Sequence, residues 1–321
     1  RDRAWQMEMN RRVALGNISE AFGDVALDTD RLVRTLGFNH LAEEDYKIAS
    51  EETKIILQRY SDGVNAFFAK GNLPIEFKLA GIQPRLWNPI DSLAWGRVMA
   101  WTLSHGWSGA LTRQEIVEKV GVEKASELNI IYPESNPAEL PDGIQFNELK
   151  LDEMVQSMKG PFLERDMEGG GRGSNAWAVS SDKSATNRPI LCNDTHLVLS
   201  IPSVWYLNHL HSSDGFHVSG ATMLGFPGIL IGHNNFTSWG ITLAYTDVED
   251  IFVEKINLSN PDEYLYKDNY LHFEHRKEVI KIKGKPNHIE DVRKSIHGPL
   301  IGKVTSRHDK VISLCSKALE P

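Results

Sequence analysis

The sequence predicts an α+β chain whose helical and strand-rich parts follow one another. Three observations carry this. Apolar residues recur at three- and four-residue spacing through the first 130 or so positions, as on one face of a helix. From Ala176 onward they alternate with polar ones in short runs split by Gly, Asn, Asp and Pro. Between the two, about residues 131–173, periodicity is lost and breakers accumulate.

Taken in order, "RDRAWQMEMNRR" reads as the inside of an amphipathic helix, with no apolar signal region. "EETKIILQRYSDGVNAFFAKG" and "DSLAWGRVMAWTLSHGW" continue the helical spacing. Asp91 and Ser92, after the turn-like "WNP", are the expected caps of the second. "YPESNPAELPDG" supplies the breakers of a linker or surface excursion. The strands expected after it are "AWAVSS", "PILCND", "FHVSGATML", "GILIGH", "SWGITLAY" and "IFVEKIN". The sequence ends on "DKVISLCSKALEP", another strand-like alternation, and a fragment at both ends is expected.

Composition narrows the function classes. Of 321 residues, 41% are hydrophobic and 24% charged, which is ordinary globular usage. The net charge of −8, without long like-charge blocks, argues against a nucleic-acid partner. Apolar runs such as "FPGILIG" fall short of the roughly 20 residues that cross a bilayer, so membrane insertion is not expected. Two cysteines, Cys192 and Cys315, exclude a disulfide framework and four-ligand zinc patterns, and leave one bridge or none. His209, His211, His217 and His233 lack flanking carboxylates at ligand spacing and read as strand and surface residues.

The glycine run in "EGGGRGSNAWAVSS" (168–181) is the most informative stretch. It is no Walker loop, because Lys and Ser/Thr do not follow the last glycine and a strand, not a helix, comes next. It is no dinucleotide fingerprint, because "LERDMEGG" is not the strand that should precede one. A flexible linker accounts for the glycines. A self-cleavage junction at Gly173–Ser174 also accounts for the place where they stop. Glycine has no Cβ, so a serine hydroxyl can approach its carbonyl closely. Scission would free an α-amine, of reference pKa about 7.7–8.0 against about 10.4 for lysine, on the residue that carries the hydroxyl. Ser174 would then supply both nucleophile and base. A conventional serine enzyme fits less well: "SSDK" (180–183) matches S-x-x-K, but its companion motifs and a G-x-S-x-G elbow are absent.

"RGSNAWAVS", "NDTHLVLSIPSVWYLNHL", "GFPGILIGHNNFTSWGIT" and "TDVEDIFVEKIN" resemble, in order and spacing, the start of the catalytic chain of the penicillin amidase (penicillin acylase) family of N-terminal-nucleophile hydrolases. "RDRAWQMEMNRR" and "LPIEFKLAGIQPRLWNPIDSLAWGRVMAW" resemble that family's smaller α chain. The resemblance implies an αββα sandwich with a mainly helical α-chain part. It divides the sequence into an α-chain-like region at 1–150, a spacer at 151–173 ending at the junction, and the start of the β chain at 174–321.

It also implies roles. Ser174 is the nucleophile, and Asn175 completes the family's Ser-Asn start. His196 stands where relatives carry Gln or His, to hold the hydroxyl and the amine; its other reading is an ordinary loop histidine. The Leu243 N–H is an oxyanion donor, with a second donor, an Asn, expected later in the β chain. Leu197, Ile231, Ile241 and Leu243 correspond to the acyl pocket, an aliphatic set that favours an aliphatic acyl group; buried core positions would look the same. Asp247, Asp250 and the carbonyl of Glu249 match a structural calcium site in some members, or make a solvated acidic turn. The expected activity is hydrolysis of an acylated amine by two chains held together after cleavage, without organic cofactor, in the periplasm or medium. The competing expectation is an uncleaved or inactive member that binds a hydrophobic ligand.

Overall fold

The structure, a computed structural model, describes residues 1–104, 106–128, 173–197, 199–244, 246, 248–305 and 311–320. Residues 151–172 of the spacer, including the glycines at 169–171, and Asp247 lie outside the described residues.

Helices come first: α1 (Ala4–Leu15), α2 (Ser19–Phe22), α3 (Leu27–Leu36), α4 (Phe38–Ile48), α5 (Glu51–Phe68), α6 (Ile75–Ala80), α7 (Pro89–Thr102), α8 (Gly106–Val120) and α9 (Val122–Ser126). Their ends follow local chemistry. At α5 the Ser50 side chain accepts the Thr53 N–H, which satisfies one of the donors a first turn leaves free. The cap of α7 is Asn88, not Asp91 or Ser92 as the sequence suggested. Asn88 and Asp91 exchange side-chain and main-chain hydrogen bonds in a capping box, with Pro89 at the first turn. Asp91 therefore works from the third helical position, and Ser92 is a buried acceptor for the Trp87 indole N–H at 3.0 Å.

Strands follow: β1 (Gly173–Val179), β2 (Ile190–His196), β3 (Trp205–His211), β4 (His217–Met223), β5 (Ile231–Asn234), β6 (Ser238–Trp239), β7 (Glu249–Val253), β8 (Ile256–Asn257), β9 (Asn260–Tyr266), β10 (Asn269–His272), β11 (Glu274–Ile280), β12 (His288–Ser295), β13 (Gly298–Pro299) and β14 (Ile312–Ser316). The sheets, in strand order, are β1-β2, β3-β4-β5-β6, β14-β7, β10-β9-β8 and β11-β12-β13. Every strand pairing in them is antiparallel. The chain is thus α+β. Among the described residues of "SWGITLAY", Ser238 and Trp239 alone are strand.

One core joins the two halves. Leu32, Val33, Leu36, Phe38, Ala94, Val98, Trp101 and Trp107 from the helices pack with Ile301, Ile312 and Leu314 from the strand-rich part. Trp101 and Trp107 lie nearly parallel, ring centres 6.0 Å apart. Such burial is the main term holding helices on sheets, at about 25 cal/mol per Å² of apolar surface. Cys192 and Cys315 are both free thiols, so the choice between one bridge and none falls on none.

Charged groups reinforce the junction. Glu278 of β11 and Glu290 of β12 stand opposite each other and are both buried. From α3, Arg34 reaches Glu278 at 2.9 Å and Arg31 reaches Glu290 at 2.6 Å. His40 adds a 2.7 Å hydrogen bond to Glu278. Burial alone would raise both carboxyls; the hydrogen bonds from His40 and Arg34, and from Arg31 and His288, outweigh it and hold each below the usual carboxylate range.

Candidate active site

Strands β1 and β2 pair without a bulge from Gly173↔His196 to Val179↔Ile190. Ser174 lies opposite Thr195, and Asn175 opposite Asp194. Side chains alternate along a strand, and directly opposite residues share a face. Ser174, Thr195, Ala176 and Asn193 therefore share one face, and Asn175, Asp194 and His196 the other. The His196 main chain runs beside Gly173, while its ring meets Asp194 Oδ2 at 3.0 Å. No hydrogen bond among the described residues joins that ring to Ser174.

On the Ser174 face, Asn193 makes three hydrogen bonds. Its Nδ2 donates to the Asn175 carbonyl at 2.9 Å and to the Ile241 carbonyl at 3.0 Å, and its Oδ1 accepts the Ile241 N–H at 3.0 Å. Thr195 Oγ1 accepts the Trp205 indole N–H at 3.0 Å, which fixes the start of β3 against β2. The segment after β6 is in this way held beside β1, and half-buried Leu243 follows two residues after Ile241.

The aliphatic residues assigned to an acyl pocket are dispersed in their connections. Leu197 borders a groove with Thr195, Ile201 and Trp205. Ile231 sits in β5 opposite Ala221. Ile241 is tied to Asn193, and no hydrogen bond among the described residues links Ile231 to this group.

The acidic turn is described in part. The Glu249 carboxylate is buried, accepting from Ser316 Oγ at 2.9 Å and the Trp107 N–H at 3.2 Å. Asp250 is exposed and pairs in register with Cys315. No three His, Cys, Asp or Glu side chains among the described residues converge as metal ligands. These residues do not by themselves make a calcium site, since the ion takes six to eight oxygens.

The sequence reading did not find the 860 Å³ cavity between α1, α5 and the β3-β4-β5-β6 sheet. Met7, Tyr60, Leu224, Phe226, Phe236 and Trp239 give it apolar walls, and neither Ser174 nor His196 lines it. Tyr60 Oη accepts the Gly225 N–H at 3.1 Å, and burial pushes its phenol up to about 12. Its signal was scattered: the lining comes from residues 1–7, 59–60 and several short runs between 206 and 239, none of which alternates or repeats in a way that marks a cavity. No helix among the described residues is long and apolar enough to cross a membrane.

The sequence model of the penicillin amidase family matches residues 1–321. The chain is similar to the penicillin acylase 2 proenzyme of Pseudomonas sp. (strain SE83), 32% identical over 94% of this chain and 39% of that protein. It is similar to the acyl-homoserine lactone acylase QuiP of Pseudomonas aeruginosa, 29% identical over 97% of this chain and 37% of the relative. With the penicillin G acylase of Escherichia coli it shares 24% identity over 94% of its own length and 42% of that enzyme. The chain thus spans less than half the length of these relatives. A thermostable penicillin G acylase from Alcaligenes faecalis is 31% identical over 36% of this chain and 20% of that one, with a TM-score of 0.32.

Proposed function

Because this chain belongs to the penicillin amidase family, we propose that it is the nucleophile-bearing part of an acylase that hydrolyses the amide bond of an acylated amine. The observation that carries the reading is the place of Gly173–Ser174: the first bond of β1, beside the His196 main chain, with the Ile241 segment tied to the same strand through Asn193.

The chemistry follows from one residue. In maturation, Ser174 Oγ attacks the Gly173 carbonyl, the peptide becomes an ester, and water splits it to leave Ser174 with a free amine. In turnover that amine, directly or through a water, takes the hydroxyl proton while Oγ attacks the substrate carbonyl. The oxyanion is met by the Leu243 N–H, a donor type whose removal costs about 100- to 1,000-fold in rate. The proton passes to the leaving amine; water then attacks the acyl-serine ester and releases the acid. His196 steadies the new terminus through its neighbouring main chain. The mature protein is two chains around an αββα sandwich, exported to the periplasm or medium, with an aliphatic acyl group favoured by Leu197, Ile231, Ile241 and Leu243. The names of the relatives offer two substrate classes, penicillins and acyl-homoserine lactones. No step is assigned to calcium.

Intact mass with N-terminal sequencing tests the reading: two polypeptides, the second beginning at Ser174, and turnover of an N-acyl substrate are expected. A single uncut chain without amidase activity would replace it with the second reading, a ligand-binding member, which the apolar cavity, not lined by Ser174, favours.

A further inference from the structure

We propose that Asn193 is a positioning residue that sets the separation between the nucleophile strand and the segment carrying the Leu243 N–H. The inference rests on the acylase reading and adds to it a residue that neither attacks nor binds charge. An antiparallel strand would normally hold such a segment through a ladder of main-chain bonds. Here residues 240–244 belong to no strand, and one side-chain amide takes the ladder's place. Asn193 donates to the Ile241 carbonyl and accepts the Ile241 N–H, both at 3.0 Å, as a paired residue of a neighbouring strand would. The second hydrogen on Nδ2 goes to the Asn175 carbonyl at 2.9 Å, the main chain next to Ser174. The side chain is thereby satisfied at both donors and at its oxygen. It forms the direct link between residue 175 and residue 241.

Gly240 supports this independently. A Cβ there would fall 2.8 Å from Asn193 Cβ and 2.9 Å from its Cγ and Oδ1. Contacts that short do not occur without displacement, so the segment approaches Asn193 this closely only because residue 240 lacks a side chain. Asn193 and Gly240 act as a matched pair: one supplies the amide, the other the space it enters. An oxyanion donor works only when aimed where charge develops, and a misplacement of about 1 Å can cost about 100-fold in rate.

The test uses the full-length protein with Asn193→Ala, Asn193→Asp, Gly240→Ala and the double variant Asn193→Ala/Gly240→Ala. Asn193→Asp keeps the acceptor for Ile241 but loses both donated bonds. For an N-acyl substrate, each single change is expected to lower kcat about 10- to 100-fold while KM stays within about threefold, since the lost interaction is made in the transition state. The double variant should be no worse than the poorer single, because both remove the same link. Amide exchange at Ile241 should accelerate in Asn193→Ala, Gly240→Ala and the double variant, where the acceptor is removed or displaced, and change least in Asn193→Asp, which keeps it. Full kcat in Asn193→Ala or Asn193→Asp, additive losses in the double variant, or an unchanged Ile241 exchange rate in Asn193→Ala would each overturn the proposal. If the wild type itself neither matures nor turns over an amide, the acylase reading fails by that result, and the Ile241 exchange rates still decide whether Asn193 holds the segment.

Discussion

Arg34 of α3 donates to Glu278 of β11 at 2.9 Å, across the seam where the helical part meets the strands. Arg276 donates to Glu278 at 2.8 Å and to the Arg34 carbonyl at 2.7 Å, so the pair belongs to a network satisfied on both sides. Removing one member of a buried network leaves the others desolvated and unpaired, at about 3–5 kcal/mol. Because Arg34 and His40 keep some solvent contact, Glu278→Gln is expected near the low end, about 3 kcal/mol, read as a shift in denaturant midpoint without change in slope.

The same carboxyls set an acid limit. Glu278 and Glu290 are held below their ordinary value of 4.5 in the folded protein. A depressed folded pKa contributes stability that is complete above the unfolded value and is lost as pH falls through the folded one. Melting temperature should therefore hold down to about pH 4.5 and then drop, and the drop should be shallower in Glu278→Gln because one linked proton is removed. A pH series of thermal melts on both proteins checks this.

Arg11 gives a second stability prediction. It is 1% exposed, paired with Glu8, 3.6 Å from Asp91, and bonded to the Arg85 carbonyl at 3.0 Å. Burial pulls its guanidinium below the usual arginine range, and Glu8 and Asp91 oppose that pull. Arg11→Met would remove the cation that Glu8 and Asp91 share while leaving Arg12 on Glu8 and Arg85 on Asp91, so a loss near the low end for a broken buried pair, about 3 kcal/mol, is expected. Replacing Asn88 with Ala, which removes only the cap of α7, should cost about 1 kcal/mol. Chemical denaturation of the two variants side by side separates the scales.

How far the sequence was legible follows from the same residues. α5 and α7, β1, β2, β4 and β5 formed where the spacing placed them, and in the two helices buried residues recur at helical intervals, Leu57 and Ser61 in α5 and Ala94, Val98 and Trp101 in α7. Strands β9 to β12 were not read, because the pattern there inverts: "EHRKEVI" and "HIEDVRKS" turn Glu278 and Glu290 inward. The arginines of α3, more than 240 positions earlier in the chain, together with His40, Arg276 and His288, make that tolerable. The β9–β10 turn was hidden as well, since Lys267 occupies the positive-φ position (54°) where Gly or Asn gives the usual signal. At the candidate site, Ser174 and His196 stood out by resemblance, whereas Asn193 looked like a breaker at the end of "PILCND". Counting in twos from Thr195 puts Asn193 on the Ser174 face, the one signal that could have found it.

The final prediction concerns Ser174 and pH. In the proposed scission its nitrogen passes from an amide, which cannot take a proton, to an amine of reference pKa about 7.7–8.0. If that amine is the base, kcat/KM rises with pH, tenfold per unit on the acid side, and levels above about pH 8 as the neutral form saturates. A histidine base would level about one unit lower, near 6.5. Ser174→Ala should give one uncut polypeptide with no turnover, because both the cutting hydroxyl and the nucleophile are gone. His196→Asn should leave both the position and the height of the pH profile in place, since the contact proposed for His196 is made by its main chain and its ring bonds Asp194 on the face away from Ser174. A profile that moves with His196 instead would transfer the base from the amine to the imidazole, and a cut protein still active in Ser174→Ala would place the nucleophile elsewhere.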